Sequence, residues 1–185
     1  MYREEDTPNP LNIYGKSKLQ GETNIISEGG NFIILRTSWV YSDQGHNFLK
    51  TILRLLEEKK EISVVNDQYG VPTSSSWLAN VAILLSQRFF SEEPTENGVY
   101  HAVCGGETTW YSYAQFILEC INRKDIILIP VSSESYLAKA KRPKNGRLST
   151  EKLQKQLKIH PPLWKDEVKK VISLLVSSKG ESYRY

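Results

Sequence analysis

Tyr14 and Lys18 stand four residues apart in the segment Pro10-Leu11-Asn12-Ile13-Tyr14-Gly15-Lys16-Ser17-Lys18. On a helix that spacing puts both side chains on one face, an ammonium beside a phenol. A free phenol ionises only near pH ~10, and an adjacent cation favours the phenolate and lowers that value. A phenol tuned this way can pass a proton to or from a carbonyl or alcohol oxygen while a hydride moves at the attached carbon. Tyr and Lys are common residues, and a solvated i, i+4 pair is the plain alternative. The pair gains meaning only from the elements that position it.

Those elements are a helix with a defined start and a strand behind it. Asp6-Thr7-Pro8-Asn9-Pro10 cannot continue a helix and biases the chain toward extended structure and turns. Asn12 is placed to cap a helix carrying Tyr14, Lys18, Leu19, Glu22, Ile25 and Ile26, and Gly29-Gly30 stops it. The run Asn31-Phe32-Ile33-Ile34-Leu35-Arg36-Thr37-Ser38-Trp39-Val40-Tyr41 is too continuously apolar for a one-sided surface strand. It predicts one parallel strand covered on both faces.

Helical and extended segments then alternate. Asn47 to Lys60 is an amphipathic helix with Phe48, Ile52, Leu55 and Leu56 on one side, and Glu61 to Val65 is a strand. Ser74 to Ser76 caps a helix running to Phe89-Phe90, and Gly98 to Cys104 is a strand. Thr108 or Thr109 opens a helix to Asn122, Asp125 to Val131 is extended, and helices over Thr150–Leu157 and Trp164–Val176 close the chain. Asp67 to Thr73 reads first as a turn, on Gly70 and Pro72. The alternation predicts an α/β architecture around a largely parallel sheet.

Four blocks in order resemble the dTDP-4-dehydrorhamnose reductase family of extended short-chain dehydrogenase/reductases. They are Leu11 to Glu22, Leu35-Arg36-Thr37-Ser38-Trp39-Val40-Tyr41, Asp67-Gln68-Tyr69-Gly70-Val71-Pro72-Thr73, and Arg142-Pro143-Lys144-Asn145-Gly146-Arg147-Leu148. In the last block Gly146 stands where the family has Ser. The resemblance implies the C-terminal part of a Rossmann-like enzyme with an interleaved substrate-binding lobe. Residues 1–185 form a single compact unit in that reading, with a catalytic helix and Rossmann strand over about 1–41. The remaining sheet and helix elements and the substrate-binding lobe occupy about 42–185.

The resemblance also assigns roles. It implies Tyr14 and Lys18 as catalytic and, with Thr37 and Ser38, as contacts of a nicotinamide cofactor, NADPH or NADH. It implies Trp39, Gln68, Arg142 and Asn145 as contacts of a nucleotide-sugar substrate, Arg142 because a guanidinium suits a diphosphate. Arg36 reads better as a structural ion-pair partner. Trp39 has packing as its alternative, and the lysines around Arg142 read as solvated surface. None of the eleven glycines falls in a Gly-x-Gly-x-x-Gly spacing, so nothing in these residues is expected to cradle the cofactor pyrophosphate. The family's carbonyl-polarising Ser or Thr has no counterpart on a strand before Tyr14; Thr7 lies in the Pro-rich segment.

Composition narrows the function classes. A net charge of +3 is too mild to argue for nucleic acid. Cys104 and Cys120 have no metal or redox spacing and suit a reducing compartment, His46, His101 and His160 are scattered, and no metal site is expected. The polar amino terminus is not expected to act as a signal peptide, and the longest apolar run, Ile126 to Val131, is far short of a membrane span. The expected home is the cytoplasm, with a homo-oligomer possible through apolar edges. Three readings stand: a reductase of a nucleotide-linked 4-keto sugar, a non-catalytic regulatory subunit on the same fold, and an inactive fragment.

Overall fold

A computed structural model describes residues 1–91, 96–136 and 140–178; of the lysines near Arg142 that read as solvated surface, Lys139 lies outside them. Helix α1 (Ile13–Glu28) leads to strands β1 (Ile33–Arg36) and β2 (Val40–Tyr41), then α2 (Phe48–Glu58) and β3 (Glu61–Val65). Short strands β4 (Tyr69–Gly70) and β5 (Thr73–Ser74) precede α3 (Ser75–Phe89), β6 (Gly98–His101) and β7 (Thr108–Thr109). Helix α4 (Trp110–Cys120), strand β8 (Ile127–Val131), α5 (Glu151–Leu157) and α6 (Trp164–Ser178) complete the order. The pairs β1/β6, β2/β5 and β3/β8 are parallel, and β4/β7 is antiparallel.

Local chemistry sets the helix starts. The side-chain oxygens of Asn12, Asn47, Ser74 and Thr109 each accept from the backbone N–H three residues on, at the heads of α1, α2, α3 and α4. At the other end of α1, Gly29 and Gly30 take φ of 73° and 77°, which stops the helix at little cost.

Tertiary burial concentrates away from α1. Leu49, Ile52, Leu53 and Leu56 of α2 follow the i, i+3, i+4, i+7 stripe and pack with Tyr113, Ala114 and Ile117 of α4 and Val168 of α6 in the larger core. A smaller core joins Val81 and Leu85 of α3 to Tyr100 of β6 and Leu153 of α5. By contrast α1 buries none of its residues. Two polar links anchor it: Asn12 Nδ2 donates to the Lys141 carbonyl at 3.0 Å, and Glu22 pairs with Arg36 on β1.

Two sequence expectations are corrected. The run from Asn31 to Tyr41 is not one strand: the ladder stops at Arg36, Trp39 takes φ of 47°, and Val40–Tyr41 pair with β5. A non-glycine residue in the left-handed region redirects the backbone, which a continuous strand cannot tolerate. Nor is that run covered on both faces, because in β1 only Ile34 is buried. Similarly, the strand expected over Gly98 to Cys104 ends at His101; Ala102, Val103 and Cys104 leave the ladder but stay buried.

Candidate functional site

Pro10 and Asn12 fix where Tyr14 stands. A Cβ on Gly15 would lie 3.0 Å from Pro10 Cβ, so the first turn of α1 sits close on the Pro-rich segment. Tyr14 is 71% exposed, and Lys18, also exposed, holds its Nζ 5.5 Å from the Tyr14 ring centroid. The phenol and the ammonium thus share one open helix face, as their spacing requires. Lys18 also lines a cleft, together with Pro8, Asn9, Pro10, Gly15, Leu19, Glu22 and Arg36.

Glu22, one further turn along α1, does not pair with Lys18. Its Oε2 accepts from Arg36 Nη2 at 2.6 Å, and Arg36 Nε lies 3.1 Å from both carboxylate oxygens. Arg36 closes β1 opposite His101 of β6, whose backbone N–H donates to Glu4 Oε1 at 2.9 Å. Burial holds the His101 imidazole below its ordinary pKa, against the pull of Glu4.

The link after β1 meets the loop before β5. Ser38 Oγ donates to the Val71 carbonyl at 3.3 Å, and Thr73 N–H donates to the Trp39 carbonyl at 3.2 Å. Thr37 Oγ1 is buried without a hydrogen-bond partner. The Trp39 indole stacks on Trp110, with ring centroids 3.6 Å apart and planes 15° from parallel. Trp110 is backed by Phe48 at 4.5 Å. Gly70 lies against the same indole: a Cβ there would come within 2.6 Å of Trp39 Cε2.

Residues 67–70 and the block after Lys141 are zipped together across the sequence. Tyr69 N–H donates to the Lys144 carbonyl and Gly146 N–H to the Tyr69 carbonyl, both at 2.8 Å. Gln68 is buried and Arg142 exposed. Asn145 Oδ1 accepts from Arg147 Nε at 2.9 Å, and the Arg147 guanidinium lies 5.4 Å from the Tyr69 ring centroid and 3.0 Å from Glu107. Asp67 accepts from Ser133 N–H and Oγ, both at 2.8 Å. Burial would raise its pKa, but those bonds and the Lys144 ammonium bring it below the usual carboxylate value.

Of the sequence-predicted residues, Tyr14 and Lys18 come together on α1. Thr37, Ser38 and Trp39 come together on the β1–β2 link, and Gln68 lies beside the hydrogen-bonded strip that holds Asn145. Arg142 follows directly on Lys141, whose carbonyl holds the Asn12 cap. Sequence reasoning passed over Trp110, Arg147 and the partner of Arg36. Trp110 and Arg147 carried a local signal, an aromatic at a helix start and a second Arg in the last block. Glu22 carried the same four-residue spacing from Lys18 that Lys18 has from Tyr14.

Among the described residues no His, Cys, Asp or Glu cluster is placed to hold a metal ion, and no helix is long and apolar enough to cross a membrane.

Comparison with known proteins places this geometry in a family. The model of the RmlD substrate binding domain matches residues 1–177. The dTDP-4-dehydrorhamnose reductase of Salmonella typhimurium is 40% identical over 177 residues, which is 93% of this chain and 59% of that protein. The dTDP-4-dehydrorhamnose reductase of Bacillus anthracis, solved in complex with NADP, superposes with a TM-score of 0.86 at 34% identity, over 94% of this chain and 59% of that one. Its Clostridium acetobutylicum counterpart gives 0.85 at 35% identity, again over 94% and 59%. The chain therefore spans about 60% of the length of these relatives. The chain belongs to the RmlD substrate binding domain family.

Proposed function

We propose that this chain carries the proton donor and the sugar-nucleotide side of an NAD(P)H-dependent reductase. Its reaction is reduction of the 4-keto group of dTDP-4-dehydro-L-rhamnose to the alcohol of dTDP-L-rhamnose. The carrying observation is the Tyr14–Lys18 pair, a phenol and an ammonium side by side on an exposed helix face. Two relatives named dTDP-4-dehydrorhamnose reductase, one of them solved with NADP, support the substrate and the cofactor.

The residues present fit the nicotinamide-ribose half of such a cofactor. Tyr14 and Lys18 are open to a ligand, and Thr37 offers a buried hydroxyl without a protein partner at the end of β1. When bound, the reduced nicotinamide supplies a hydride to C4. Tyr14 Oη gives its proton to the C4 oxygen, so carbonyl, hydride and proton together make the alcohol. Lys18 stabilises the phenolate left behind and holds the ribose hydroxyls, while Thr37 and Ser38 border the nicotinamide end. Trp39, Gln68, Arg142 and Asn145 take the substrate side, Arg142 toward the diphosphate.

The test joins this chain to a Gly-rich dinucleotide-binding segment and follows NADPH oxidation with a dTDP-4-keto-6-deoxyhexose. Turnover should fall by about 10²–10⁴-fold in Tyr14→Phe, the usual share of general acid catalysis. Undiminished activity in a folded Tyr14→Phe protein removes Tyr14 from the role, and no turnover in a folded, cofactor-binding parent removes the reading altogether.

A further inference from the structure

Tyr14, Lys18 and Glu22 form a ladder of four-residue steps along α1. Left to itself, a Lys–Glu pair at i, i+4 associates on a helix surface. Here both Glu22 oxygens are taken by Arg36, at 2.6 Å from Nη2 and 3.1 Å from Nε. That pair is largely enclosed, with side chains 22% and 18% exposed, so water and salt compete with it less than with a surface pair. Lys18 makes no ion pair among the described residues, and its Nζ lies 5.5 Å from the Tyr14 ring centroid. Lys18, Glu22 and Arg36 nevertheless line one cleft.

We propose that Arg36 is a positioning residue that holds the Glu22 carboxylate away from Lys18, leaving the ammonium free for Tyr14 and for ligand. The inference rests on the reading of Lys18 as the partner of Tyr14. Without the guanidinium, Glu22 would have one cation within a helical turn, and that cation is Lys18. The pairing would offset the charge that acts on the phenol and compete with any ribose hydroxyl. Arg36 and Glu4, from the amino-terminal segment, both act on His101 of β6, whose pKa burial lowers. Neither Glu4 nor His101 lies on the α1 ladder. A purely structural role, clamping α1 to β1, predicts the same loss of stability on removal of Arg36 but no effect specific to Lys18.

Competitive acetylation of this chain with isotopically coded anhydride, read lysine by lysine by mass spectrometry, separates the two roles. An amine held against a carboxylate acylates more slowly than a free one. Arg36→Met should lower Lys18 labelling about twofold relative to Lys16 and Lys59, the effect of one exposed i, i+4 pair. The double variant Arg36→Met/Glu22→Gln should restore it, and Glu22→Gln alone should match the parent. Arg36→Lys keeps a charge on β1 with fewer contacts to Glu22, so it should give a smaller drop. It decides the matter if Arg36→Met does not fold. Lys18 labelling unchanged in the folded Arg36 variants, or lowered equally with and without Glu22→Gln, overturns the inference. Labelling needs neither cofactor nor turnover. A chain that passes it yet yields no reductase therefore sinks only the catalytic reading, whereas the reverse result sinks only the role of Arg36.

Discussion

Replacing Gly70 with Ala should cost far more than one methyl group usually does. The new Cβ would lie 2.6 Å from Trp39 Cε2 and 2.8 Å from Cζ2, well inside contact distance. Trp39 cannot retreat cheaply. Its ring is stacked 3.6 Å from Trp110, which rests on Phe48, and its backbone already sits at φ of 47°. Overpacking of this kind costs about 1–3 kcal/mol, and spoiling an aromatic stack adds about 0.5–1.5 kcal/mol. Because the indole moves partly as a unit, the two overlap, and about 2–3 kcal/mol is the expected total. For a chain of this size that lowers Tm by about 4–12 °C, at about 2–4 °C per kcal/mol. Urea denaturation followed by circular dichroism and Trp fluorescence measures it. The decisive comparison repeats Gly70→Ala in a Trp39→Ala background. With the indole gone the methyl group has room, and its cost should fall below about 0.5 kcal/mol. Equal cost in both backgrounds would refute the reasoning, since the penalty would then come from the backbone of β4 and not from Trp39.

Gly146→Ser should be tolerated within about 0.5 kcal/mol, because a Cβ there meets the Tyr69 carbonyl oxygen at 3.4 Å, an ordinary contact; thermal unfolding of the variant checks this. Glu167 is buried and accepts from Ser74 Oγ at 2.6 Å and Lys170 Nζ at 2.7 Å; burial pushes its pKa up, but these bonds leave it lowered. A lowered folded-state carboxyl stabilises above its unfolded pKa, and the gain is lost as pH falls through the lower folded value. Glu167→Gln should thus cost about 1–2 kcal/mol at pH 7, and urea midpoints should show the gap to the parent closing below about pH 4.

What the sequence disclosed follows the range of the forces involved. Helix starts were legible because a cap acts over three residues: Asn12, the run Ser74 to Ser76, and Thr108 or Thr109 marked three of them, and the fold uses Asn12, Ser74 and Thr109. The Tyr14–Lys18 contact was legible for the same reason, since helical spacing alone brings the two together. The single strand expected over Asn31 to Tyr41 failed where that range ends. Apolar content reports burial, but the turn at Trp39 is set by partners 31 to 71 positions away, Gly70 and Trp110, which only the folded chain supplies. The same holds for Arg36. Its sequence position fits an ion pair with any nearby acid, and the folded chain brings Glu22 of α1 to it. Local spacing alone would offer Glu22 to Lys18, four residues before it. The Arg36 guanidinium, 14 positions further on, holds both Glu22 oxygens instead, and the proposed freedom of Lys18 rests on that contact across the fold.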